Sequence, residues 1–453
     1  MNTNKTVITR FPPSPTGAIH IGNVRTMIFN HLFALQNNGH MVVRFEDTDR
    51  ARSKKEFEPL ITEGLAWLGI TDFDQPTRQS ERTHIYRSYI EKLIAEDKAY
   101  VSKEEPKEAG QRDTVIRFKN PNKKVKFNDI IRGEISVDTT DLGDFIIAKS
   151  LDEPIYHFAV VVDDYEAGIT HVIRGEDHIS NTPRQILIQQ SIGASMPKYA
   201  HLPMVLGPDK SKLSKRHGST SLQDLMKAGY LPNAVFNYLT LLGWHPKVGE
   251  EQEIFTPDEL VQEFKLEDVQ KAGAVFSEEK LRWINKQHLL KLSDGEFFSK
   301  VKESLPTEIT NLPEYSENRL ARLLPELRER ISVFSDIKTM AEEGELEYFF
   351  EQPGYFAESL IWKKSDKIST KKHLESIYKI LSDLDVGDWE DKLSIKDTIW
   401  PYAETNGKGD VLWPLRYSLS GADRSPDPIT LLFVLGKTES LQRINEAISK
   451  LES

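Results

Sequence analysis

The chain has 453 residues, 38% of them hydrophobic and 28% charged; it is too long for one core, and about two to four domains are expected. Cysteine is absent, which excludes disulfides and any cysteine-ligated zinc site. No apolar run approaches a membrane span and the first residues lack a signal-peptide pattern, so the expected location is the cytoplasm. A net charge of −11 excludes nucleic-acid binding through general basicity, so any such face must be a local basic surface on an acidic body.

In chain order, Val7-Ile8 and Met41 to Phe45 read as buried parallel strands, with a helix from Val24 to Leu35 crossing between them. The turn between strand and helix holds Pro12, Pro13, Pro15 and Thr16-Gly17. Prolines stiffen it, and the glycine lets the backbone approach something closely. His20 and Asn23 sit one turn apart at the helix start, where unpaired N–H groups and the helix dipole suit a phosphate. A capping histidine in a proline-rich turn is the alternative. Glu46-Asp47-Thr48-Asp49-Arg50 emerges at the C-terminal end of the second strand, where open α/β sheets bind ligands; local Asp–Arg pairing is its plain reading.

Helices follow from about Ser53 to Leu68 and from Ser80 to Glu96. The stretch from Tyr100 to Lys149 reads as an insertion with alternating strands at Val115–Phe118 and Glu134–Val137. Pro154 to Val162 has a helical apolar pattern, and Asp163-Asp164 reads as an acidic loop or cap, since no third ligand stands at metal spacing. Ile169 to Arg174 is a buried strand, and Thr182-Pro183 opens the next helix with a cap and a first-turn proline. His171, His178 and His201 are scattered and read as structural or one step removed from a ligand. Between Gly207 and Gly218 runs a loop rich in lysine, Lys210, Lys212 and Lys215. From Ser221 the pattern is helical, with Trp244 and Trp283 read as core, and from about Arg322 it is helical almost throughout.

Two motifs, His20-Ile21-Gly22-Asn23 and Lys212-Leu213-Ser214-Lys215-Arg216, together resemble the signatures of class I aminoacyl-tRNA synthetases. The runs Arg10 to Gly17, Arg44 to Arg50, Val172 to His178 and Ser180 to Gln185 are similar to the glutamyl subgroup, and Trp413 to Gly421 resembles, more loosely, its anticodon-binding domain. The resemblance implies an α/β fold: a Rossmann-like parallel-sheet catalytic domain with an inserted acceptor-binding subdomain, plus an α-helical C-terminal anticodon-binding region. The expected boundaries are 1–99 and 150–220 for the catalytic halves, 100–149 for the insertion, 221–320 for a helical stem-contact connector and 321–453 for the anticodon region. It implies attachment of L-glutamate to tRNA(Glu) with ATP and Mg²⁺ through a glutamyl-adenylate, by a monomer without membrane contact.

By the same resemblance His20, Asn23, Lys212 and Lys215 are catalytic. ATP is met by Thr16, Gly17, His20, Gly22, Lys212, Leu213, Ser214 and Lys215. Glutamate is met by Arg10, Pro12, Ser14, Glu46, Tyr156 and Arg174, with the arginines on carboxylates and Ser14 and Glu46 on the amino group. No protein metal site is expected. Asn23 departs from the second histidine of most class I enzymes, and the short cysteine-free insertion departs from the zinc knuckle of many members. The plain structural alternative for Arg10 and Arg174 is a salt bridge to Glu46 or Asp47, which is compatible with the substrate-binding reading in the empty protein. The alternatives are an enzyme that also charges tRNA(Gln), a non-catalytic tRNA-binding paralogue, a small-molecule nucleotidylyltransferase, and a shortened form that modifies an anticodon base; the C-terminal helical region argues against the last two.

Overall fold

Strands β1 (Ile8–Phe11) and β2 (His40–Phe45) pair in parallel, with Ile8 opposite His40 and Phe11 opposite Val43. Helix α1 (Ile21–Gln36) crosses between them and buries Val24, Met27, Ile28 and Leu32, which recur at the spacing of one helix face. Truncating one of these to alanine would cost about 2–5 kcal/mol, because the packed interior relaxes only partly around a cavity. The expected βαβ unit is therefore present. The structure is a computed structural model that describes residues 6–104, 113–214, 216, 218, 221–246, 251–363 and 365–452. Lys215 and the polar stretch 105–112 lie outside the described residues.

After α2 (Glu58–Trp67), β3 (Thr77–Arg78) extends this sheet beside β2, and α3 (Thr83–Ala95) follows. The next strands are β4 (Ala99–Lys103), β5 (Thr114–Phe118), β6 (Lys124–Asp129), β7 (Gly133–Asp138), β8 (Phe145–Ser150) and β9 (Glu153–Pro154). Both stretches expected as strands are present, among more strands than the two expected. β5 lies antiparallel between β4 and β8, whereas β7 pairs with β6, so Val115–Phe118 and Glu134–Val137 belong to different sheets. β6 alternates exposed and buried residues, with Val125 and Phe127 inward, and meets a further strand at its end.

Helix α4 (Tyr156–Glu166) leads to β10 (His171–Gly175), α5 (Thr182–Ile192) and β11 (Lys198–Leu202). β10 and β11 are parallel, and Asp129 of β6 stands opposite Tyr199 of β11. Thr170 donates its backbone N–H to Ile8 O at 3.0 Å, which sets β10 beside β1. Asp163 and Asp164 are not loop residues: both lie in the last turns of α4 and are buried. Short strands β12 (Val205–Leu206) and β13 (Ala274–Val275) pair in parallel.

The chain forms two compact units, Met1–His288 and Leu289–Ser453, so the division falls inside the stretch expected to be a connector. Trp244 is fully enclosed in the first unit as expected, whereas Trp283, read as core, is 41% exposed, with Lys280 Nζ 4.0 Å from its ring centroid. The second unit is built of helices, including Glu317–Arg330, Lys367–Asp383, Lys392–Asn406, Lys408–Ser420 and Pro428–Glu452. The last is broken at Gly436, whose φ of 75° ends one helix and starts the next. Buried Arg443 ties the unit together by donating to the carbonyls of Tyr348, Leu419 and Glu351 at 2.6–2.9 Å.

Candidate active site

The parallel strands end at a cavity of about 390 Å³ lined by Arg10, Pro12, Ser14, Thr16, His20, Gly22, Asn23, Glu46, Tyr156, Arg174, Lys212 and Leu213. These predicted residues come from five separate stretches of sequence. Gly17 and Ser214 do not line it. Gly17 has a φ of 142° with open space around it, so its glycine answers a backbone demand and not a steric one.

His20 is the N-cap of α1, and its Nδ1 accepts the Gly22 N–H at 3.1 Å. A Cβ at position 22 would stand 3.3 Å from that nitrogen, so glycine leaves room for the bond. Because Nδ1 accepts, the neutral ring carries its proton on Nε2. Burial lowers the imidazole pKa, and a hydrogen bond to the Leu213 backbone partly opposes this. The capping and phosphate-donor readings are thus compatible: the cap orients the donor. Leu213 is fixed by its own N–H to Val205 O at 3.0 Å. Lys212 Nζ lies 3.7 Å from Asp177 Oδ2, both half-exposed at the cavity wall.

The opposite wall is a buried lattice of charges. Arg10 Nε is 3.4 Å from Asp164 Oδ2, and its Nη1 donates to Ile173 O at 3.2 Å. Arg44 holds Asp164 at 2.8 Å, Glu46 at 3.1 Å and Asp163 at 3.6 Å. Asp163 also accepts from Gln79, Arg82 and the Tyr86 hydroxyl at 2.7–2.8 Å. The alternative pairing of Arg10 with Glu46 or Asp47 is therefore incorrect. Glu46 turns to Arg44, and Asp47 accepts from the backbone and hydroxyl of Ser80. Burial raises the Glu46 pKa against the pull of Arg44, while Arg10 and Arg44 hold Asp164 low despite its burial. An acidic pair at the end of an apolar helix was the available sign that Asp163 and Asp164 are buried acceptors.

Arg174 pairs with neither Glu46 nor Asp47. It is 6% exposed and, among the described residues, has no carboxylate partner within ion-pair distance. Its Nε donates to His201 Nε2 at 3.2 Å and its Nη2 to Thr182 Oγ1 at 2.8 Å, with the guanidinium 5.7 Å from the centre of the Tyr199 ring. Burial lowers its pKa. Tyr156, whose hydroxyl is 3.0 Å from His178 Nδ1, is pushed up to about 12 by burial and Glu46. Arg25 and Asp177, which the sequence does not single out, also line the cavity, as does His178, which reads in the sequence as structural or one step removed from a ligand. Arg25 lies in α1 and donates to the carbonyls of Pro203 and Leu242; burial pushes it down to about 10. A cation inside the apolar run of α1 was its visible sign.

This wall of buried arginines beside a capped helix start can take an anionic ligand at one end and a phosphate at the other. The family described as "tRNA synthetases class I (E and Q), catalytic domain" matches residues 6–112 and 103–283, and "Anticodon binding domain" matches 296–448. The glutamate–tRNA ligase of Sulfurihydrogenibium sp. is 37% identical over 94% of this chain and 96% of that protein. That of Aquifex aeolicus is 49% identical over 62% of this chain and 66% of that protein. A crystal structure of a glutamate tRNA ligase from Elizabethkingia meningosepticum in complex with its amino acid superposes with a TM-score of 0.85 at 33% identity, covering 99% of this chain and 100% of that one. The chain therefore belongs to the class I tRNA synthetases of the E and Q group.

Proposed function

We propose that this protein is a glutamate–tRNA ligase, attaching L-glutamate to the 3′ end of tRNA(Glu) through a glutamyl-adenylate and releasing AMP and pyrophosphate. The observation that carries this reading is Arg174, a buried guanidinium without an ion-pair partner among the described residues, facing the same cavity as His20 and Lys212. A buried cation with no carboxylate in contact is costly, and a ligand carboxylate is a group that can supply that contact.

Activation needs a glutamate carboxylate oxygen to form a bond to the α-phosphorus of ATP while the bond to pyrophosphate breaks in line. Positioning and charge stabilisation do most of this work. The Nε2–H of His20 and the amide of Asn23, at the start of α1, are proposed to donate to the phosphates. Lys212, together with Lys215, would leave its acidic neighbour and neutralise the departing pyrophosphate; a lysine suits a point charge on a loop that must move. Thr16, Gly17, Gly22, Leu213 and Ser214 shape the nucleotide side. Arg10, Tyr156 and Arg174 would hold the glutamate carboxylates, with Pro12, Ser14 and Glu46 around its amino group. Mg²⁺ would come with ATP: among the described residues no cluster of three His, Asp or Glu could hold a metal ion, and Mg²⁺ commonly rides on substrate phosphates.

The reading assigns 1–99 and 150–220 to catalysis, 100–149 to the acceptor end, 221–320 to the stem and 321–453 to the anticodon, in a monomer. The test is aminoacylation with purified tRNA(Glu), tRNA(Gln), and each of glutamate and glutamine. Glutamyl-tRNA(Glu) formed only with ATP is the expected result. Failure to form it would overturn the proposal.

A further inference from the structure

Two other buried arginines near the cavity are held by carboxylates: Arg10 by Asp164, and Arg44 by Asp164 and Glu46. Arg174 is held differently. Its contacts are the imidazole of His201, the hydroxyl of Thr182 and the face of Tyr199. Behind His201 stands Asp129, whose Oδ2 is 2.6 Å from His201 Nδ1, and both side chains are fully buried.

The proton positions follow from both ends of this chain. Arg174 offers only donors, so His201 Nε2 must accept. Hydrogen bonds from His201 hold the Asp129 carboxyl low against its burial, so the carboxylate accepts and Nδ1 carries the proton. Asp129 is itself fixed. Its Oδ1 accepts the N–H groups of Ile131 and Arg132 at 3.0 and 2.9 Å, and its Oδ2 also takes the His201 N–H at 3.1 Å. The ring plane is fixed by Tyr199, stacked at 6.0 Å with an interplanar angle of 8°. Thr182 Oγ1, 3.1 Å from Nε2, turns its own hydrogen toward His178 O.

We infer that Asp129 and His201 are positioning residues for Arg174, orienting it through a neutral acceptor so that its charge stays available to a substrate carboxylate. A carboxylate in place of His201 would orient the fork equally well but would neutralise it. Asp129, which fixes the tautomer of His201, reaches the site from the end of β6, outside the motifs that carry the family resemblance. This inference rests on the proposed use of glutamate.

The test is a pair of substitutions at His201. The amide oxygen of glutamine reaches about as far as Nε2, and that of asparagine only as far as Nδ1, so His201→Gln keeps an acceptor for Arg174 and His201→Asn does not. His201→Asn should raise the KM for glutamate about 10-fold or more, leave the KM for ATP within about twofold and raise the relative use of glutamine. His201→Gln should stay within about threefold of the parent for all three. Equal KM changes in both variants, or a parallel rise in the KM for ATP, would overturn the proposal. If either variant fails to fold, the unmutated protein with ¹⁵N-labelled histidine decides by NMR. A His201 ring protonated on Nδ1 alone between about pH 6 and 8 supports the relay, and an Nε2–H or a cationic ring there overturns it. An unmutated protein that charges no glutamate would defeat the functional reading on which this inference rests, whereas His201 protonated on Nε2 in an enzyme that charges glutamate would defeat this inference alone.

Discussion

Replacing Arg174 by glutamine tests how the site reads its amino acid. Glutamate and glutamine are nearly isosteric, so shape separates them poorly and charge must do so. Arg174 is buried, and the groups it touches are neutral, so no protein carboxylate competes for its free N–H donors. A charge-assisted hydrogen bond contributes about 1.5–3 kcal/mol, which corresponds to about 10- to 150-fold in kcat/KM. The glutamine introduced can still donate to Thr182 or His201, so the local packing keeps one of its two hydrogen bonds. Arg174→Gln is therefore expected to lose about 10-fold or more in kcat/KM for glutamate while its use of glutamine rises relative to glutamate. The assay is steady-state aminoacylation of tRNA(Glu) with each amino acid. A mutant that keeps the parent's preference ratio would refute the reasoning and move the role to Arg10.

Lys212→Ala should lower kcat about 10²-fold with little change in the KM for glutamate, since it removes charge from the leaving group alone; an unchanged kcat would show that Lys212 does not act there. His20→Asn separates two roles, because asparagine is a good N-cap but lacks the Nε2–H donor. Unfolding free energy should shift by less than about 0.5 kcal/mol while kcat falls about 10-fold or more, whereas a large stability loss with normal kcat would assign His20 to the fold only. The acid sensitivity of the first unit should depend on His171, which burial pushes from an ordinary 6.5 down to about 4. Below 6.5 the unfolded chain takes a proton that the folded one refuses, so this contribution to stability is intact above 6.5 and is lost as pH falls toward 4. The slope is up to about 1.4 kcal/mol per pH unit. His171→Asn should flatten denaturant stability between about pH 7 and 5, and an unaltered slope would count against it.

The parts of this protein whose chemistry is local are written in its amino-acid order. The proline turn before α1, the histidine cap with its glycine, the βαβ unit and the Thr182-Pro183 helix start are all legible there, because each depends on residues close together in the chain. The motifs also single out residues that the fold, for the most part, brings together around one cavity. Partner choice is not legible. Arg10 meets Asp164 across 154 positions and His201 meets Asp129 across 72, and any of several acidic residues satisfies the same pairing rule on paper. Strand pairing in the insertion is not legible for the same reason. The alternation in Lys124–Asp129 marks a strand, but its partners come from the fold: it pairs along its length with β7 and meets β11, about 70 residues downstream in sequence, at Asp129. Local periodicity specifies an element; only the packed fold decides which buried charge is compensated from within and which is left for a ligand.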